Sequence, residues 1–68
     1  MSSYYVNQNA QLGGDHEVHV YGCSFMPAVE NRFYLGEFVS CQPAVTEAKR
    51  YYWQSNGCFF CCNSCHTS

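Results

Sequence analysis

Sixty-eight residues make one domain at most, and a domain of this size buries only ~60% of the surface its unfolded chain exposes. Six cysteines, six Tyr, five Phe and one Trp stand against three Lys and Arg and five Asp and Glu, a net charge of −2. That thin, slightly acidic charge argues against a nucleic-acid partner or a polybasic membrane anchor, and no run nears the ~20 apolar residues of a transmembrane helix.

Residues 1–14 are rich in Asn, Gln, Ser and Gly and read as a flexible N-terminal leader, which places a single small Cys-rich domain at residues 15–68. The same segment lacks the charged start and apolar stretch of a secretory signal. The expected location is cytoplasmic if Met1 is the native start, and secreted if a signal has been removed.

Residues 16–21, His-Glu-Val-His-Val-Tyr, alternate enough to predict a short strand, with Val18 and Val20 on one face and Glu17, His19 and Tyr21 on the other. Residues 22–31, with Pro27, form a connection. Residues 32–39 predict a second strand, in which Gly36 marks a bulge or a close backbone approach. Residues 40–52 predict the one helix: Ser40 can cap, Pro43 is tolerated in the first turn, and Val45, Ala48 and Tyr52 form a stripe near Cys41 and Ala44. Asn56-Gly57 reads as a turn, followed by a cysteine-rich tail. The expected fold is α+β, a two-stranded antiparallel sheet with one helix and a cross-linked C-terminal loop.

The cross-links carry the chemistry. Cys58 and Cys61 form a C-x₂-C pair, from which both thiolates can reach one tetrahedral ion at ~2.3 Å. His19 and Cys23, at the end of the first strand, supply a second pair, so His19, Cys23, Cys58 and Cys61 are the proposed ligands of one zinc. The tail Cys58-Phe-Phe-Cys61-Cys62-Asn-Ser-Cys65-His66 is redundant: Cys62 could replace Cys61, and Cys65 or His66 could replace His19. Cys41 could pair with Cys65 or Cys62, and six cysteines also allow a framework of three disulfides.

Taken in order, His19-x₃-Cys23, the loop with Pro27 and Asn31, the strand from Phe33, the helix around Ala44 and Cys58-x₂-Cys61 resemble the Ada-like metal-binding domains, small bacterial zinc modules. The resemblance spans residues 19–61 and implies a structural zinc within a strand-then-helix frame. Ada itself has a cysteine where this chain has His19, and residues 62–68 lie outside the pattern.

The expected function is a small structural zinc-binding module, with protein as its partner and no catalytic residues. The alternative is a secreted, disulfide-stabilised peptide effector of toxin or antimicrobial type. Cys62-Asn-Ser-Cys65-His66 matches the haem-attachment motif, but only two residues follow it to cover a haem. Glu17 is the sole candidate general base near the histidines, and nothing else converges on it.

Overall fold

The computed structural model describes residues 1–67. In chain order these form β1 (Ser2–Asn7), β2 (His16–Val20), a 3₁₀ turn (Val29–Asn31), β3 (Arg32–Phe38), α1 (Cys41–Ala48), β4 (Ser55–Gly57) and a second 3₁₀ turn (Asn63–Cys65). The α+β class and the single helix agree with the sequence reading. The sheet does not: it has four strands, in the order β3-β1-β2-β4.

The first correction concerns the N-terminus. The segment read as a leader supplies β1, which lies between β2 and β3 and pairs antiparallel with both. The two predicted strands therefore do not pair with each other. The reason is visible in Ser-Ser-Tyr-Tyr-Val-Asn: Tyr4 and Val6 alternate with partly exposed neighbours, and both are buried. β-branched and aromatic side chains on a half-buried strand outweigh the polar composition of the flanking residues.

The second correction concerns Asn56-Gly57. This pair is not a turn but part of β4, which runs parallel to β2 with Glu17 opposite Asn56 and Val18 opposite Gly57. Only glycine fits here. A Cβ on Gly57 would stand 2.5 Å from the Cys62 carbonyl oxygen and 2.7 Å from Cys65 Cβ, so the returning tail packs directly on bare backbone.

Gly36 fulfils its expectation. Tyr4 pairs with Gly36 and Tyr5 with Tyr34, which leaves Leu35 as the extra residue of a bulge, and Gly36 takes φ 123°. The bulge turns Leu35 into the core, where it is buried.

One face of the sheet carries the apolar core. Tyr4, Val6, Val18 and Leu35 pack with Cys41, Ala44, Ala48 and Cys62, and Val45 and Tyr52 close over them. Helix α1 is shorter than residues 40–52 because the chain leaves it through a turn in which the Tyr51 and Tyr52 amides donate to the Ala48 carbonyl. Ser40 is extended, as an N-cap should be, yet its side chain makes no capping bond. A disulfide joins Cys41, the first residue of α1, to Cys65 in the tail.

Candidate metal centre

Alternation along β2 sends Val18 into the helix-side core and His19 to the opposite face, which it shares with Glu17. His19 is 1% exposed all the same, so a polar ring is buried where no apolar core exists. Burial lowers its pKa, keeping the imidazole neutral at pH 7. A buried neutral imidazole needs partners for both ring nitrogens.

Partners for Nδ1 come from two loops, while Nε2 makes no hydrogen bond among the described residues and has Glu17 Oε1 3.8 Å away. After Val20 the chain turns through Gly22, at φ 91°, and the Cys23 amide donates to the Val20 carbonyl, which brings Cys23 back beside the strand. From the other side, β4 delivers Cys58, whose amide donates to the Val18 carbonyl. A further turn, with the Cys62 amide donating to the Cys58 carbonyl, returns Cys61. The ligand atoms of His19, Cys23, Cys58 and Cys61 all lie within 4.8 Å of one another and could hold a metal ion.

The separations fit one tetrahedral ion. With metal–sulfur distances of ~2.3 Å and metal–nitrogen near ~2.0 Å, sulfurs stand about 3.8 Å apart and sulfur and nitrogen about 3.5 Å apart. Here Cys23 Sγ is 4.0 Å from Cys58 Sγ, and His19 Nδ1 is 3.5 Å from Cys23 Sγ and 3.8 Å from Cys61 Sγ. Two backbone amides also address the sulfurs: Phe25 N–H donates to Cys23 Sγ and Phe60 N–H to Cys58 Sγ, each at 3.4 Å. Such bonds favour thiolates over thiols.

Burial pushes the Cys61 thiol well up, and its hydrogen bond with Cys23 adds to the shift. A divalent ion would have to displace that thiol proton to bind Cys61. Glu17 Oε1 lies 3.8 Å from His19 Nε2, while Nδ1 faces the sulfurs. The carboxylate thus stands behind the imidazole rather than over the ligand group, a position suited to orienting the ring and not to acting as a base on a metal-bound water.

The structure resolves the redundancy of the tail. Cys61 joins the group, whereas Cys62 is buried in the helix-side core. Burial raises its thiol as well. Cys65 is committed to Cys41, and His66 Nδ1 bonds the Gly57 carbonyl. With Cys65 in a disulfide, the Cys62-x-x-Cys65-His66 motif has no pair of thiols to offer a haem. His16 is half-buried, stacked 4.1 Å from Tyr52 with Nδ1 on the Asn7 carbonyl. Tyr51 packs on Phe33.

Two features had no reading in the sequence. One is the delivery of Cys58 by a parallel strand, hidden because Ser-Asn-Gly carries no strand signal. The other is that each loop places a phenylalanine two residues after its cysteine, at Phe25 and Phe60, and the two rings stack at 4.2 Å. That matched spacing was present in the sequence, but the pairing needs the fold.

No helix of the described residues is long and apolar enough to cross a membrane. Comparison with protein-family models, with curated proteins and with solved structures finds no match to this chain.

Proposed function

We propose that this chain is a small structural zinc-binding module that serves protein interaction. The observation that supports it is the convergence of His19, Cys23, Cys58 and Cys61 at near-tetrahedral spacing, with two amides bonded to the sulfurs. Three thiolates and an imidazole suit zinc, and oxygen-preferring ions such as magnesium or calcium do not fit this donor set. Four protein donors fill a tetrahedral ion, so the reading is a closed structural site without catalytic residues. The similarity to Ada-like domains rests on the ligand spacings and the strand-then-helix order, and it adds no activity to this reading.

A second reading is favoured by the Cys41–Cys65 disulfide: an exported, disulfide-stabilised peptide effector. Intact mass under native and denaturing conditions, with metal analysis, separates the two. The module reading expects one zinc per chain and a mass two hydrogens below that of the fully reduced chain. A mass six hydrogens lower with no metal would overturn it in favour of the second reading.

A further inference from the structure

Against the candidate metal centre lies a pocket of about 280 Å³ whose lining includes two of the ligand residues, His19 and Cys58, as well as Gln11, Glu17, Phe25, Phe59 and Phe60. Its aromatic wall is exposed: Phe25 is 56%, Phe59 52% and Phe60 64% accessible. Phe25 and Phe60 stack, and Phe59 stands perpendicular to Phe60 with ring centroids 5.1 Å apart, so the rings form a corner. Exposed aromatic side chains gathered on one side of a small domain mark a binding surface.

We propose that this pocket receives an alkylammonium group, the end of a lysine side chain on a protein partner. Aromatic faces attract a cation through their quadrupole. The lining also includes Glu17, whose carboxylate Oε1 lies 3.8 Å from His19 Nε2. His19 Nε2 is buried without a hydrogen bond among the described residues. A divalent ion held by three thiolates and a neutral imidazole adds one further net negative charge at the pocket floor. No base of this chain competes. Arg32 is bonded to the Pro27 carbonyl, Arg50 pairs with Glu47, and neither they nor Lys49 line the pocket. A primary ammonium is favoured over a quaternary one because the Glu17 and Gln11 side chains in the lining carry acceptors that only N–H donors can use.

The inference deepens the protein-interaction reading, and it rests on the metal for one of its two negative charges. It also links them: the amides of Phe25 and Phe60 bond the Cys23 and Cys58 sulfurs, so metal binding fixes the loops that present the two rings.

The test is a ¹H–¹⁵N NMR titration of the full chain, its metal content measured first. The ligands are Nα-acetyl-lysine methylamide, its Nε-acetylated neutral counterpart, and choline. Saturable shifts at the Glu17, Phe25 and Phe60 amides are expected with the lysine compound, with binding at least about tenfold weaker once acetylation removes the charge. Phe60→Ala and Glu17→Gln should each weaken it roughly 2- to 30-fold, and Phe60 is exposed enough for its truncation to spare the fold. Equal binding of the neutral compound, or no saturable shift on metal-loaded protein, would overturn the proposal. Tighter binding of choline would overturn the lysine assignment. Failure to take up metal would instead sink the metal reading, and the pocket would then stand or fall by the same titration on the metal-free chain.

Discussion

The two faces of the sheet are held by different physics. On the helix side, Val6, Val18, Ala44 and Ala48 are fully buried among one another, and the disulfide ties the start of α1 to the tail. On the other side, at the ends of β2 and β4, the largest fully buried side chain is His19, and around it are cysteines rather than aliphatics. The aromatics that could have made a core there, Phe25, Phe59 and Phe60, lie at the surface instead. Aliphatic residues and the helix close one face, and the other gathers His19, Cys23, Cys58 and Cys61, which could hold a metal ion.

If the faces are so divided, removing the metal should harm one far more than any packing change harms the other. Binding of a structural zinc is worth about 10–16 kcal/mol in small domains at neutral pH. Chelation, or Cys58→Ser, is therefore expected to unfold the ligand-side loops and lower the melting temperature steeply. Circular dichroism and amide exchange at residues 19–25 and 58–61 will report it, and unchanged melting after complete metal removal would contradict the division.

Acid should act on the same face. Cys61 is held up by burial and would have to lose its proton to bind a metal, whereas His19 is held down by burial. Metal binding thus releases protons from thiols, and affinity falls as pH falls. Each thiol proton displaced steepens the fall by up to about tenfold per pH unit. Competition titrations at about pH 6 and pH 7 measure the slope, and a flat profile would mean that thiolates are not the ligands.

The helix face should yield to smaller changes. Replacing Cys41 and Cys65 by Ala removes a cross-link spanning 24 positions, a loss of about 3 kcal/mol on the chain-entropy account. Denaturant unfolding should show it with metal stoichiometry intact. Gly57→Ala forces a methyl against the Cys62 carbonyl and should cost about 1–3 kcal/mol through overpacking. Because Gly57 immediately precedes Cys58, this variant also asks whether the two faces are coupled: weaker metal binding in it would show that they are. Phe60→Ala should change stability least, by within about 0.5 kcal/mol, since the ring is largely in solvent.

Some of this was open to reading in the residues alone. The ligand pairs are local, because C-x₂-C and H-x₃-C spacings place donors within reach of one ion whatever the rest of the chain does. Gly36 announced its bulge, and Val45, Ala48 and Pro43 announced their helix, since conformational preference at those positions is also local. Where the sequence misled, the deciding contacts were distant. Tyr4 and Val6 became the middle of the sheet only because β2 and β3 offered edges on both sides. Ser55–Gly57 became a strand only because β2 had a free edge and the tail needed a bare glycine to lie on.

The sequence by itself determined that the chain would carry one helix and offered cysteines and histidines at metal-ligand spacing, without choosing among Cys61, Cys62, Cys65 and His66. Only the tertiary structure decided which cysteine of the redundant tail takes which role. Cys58 and Cys61 turn toward His19, Cys62 turns into the apolar core, and Cys65 reaches Cys41. The reason is geometric: neighbouring residues of a tight turn point in different directions, and what each one meets is set by elements far away in the chain.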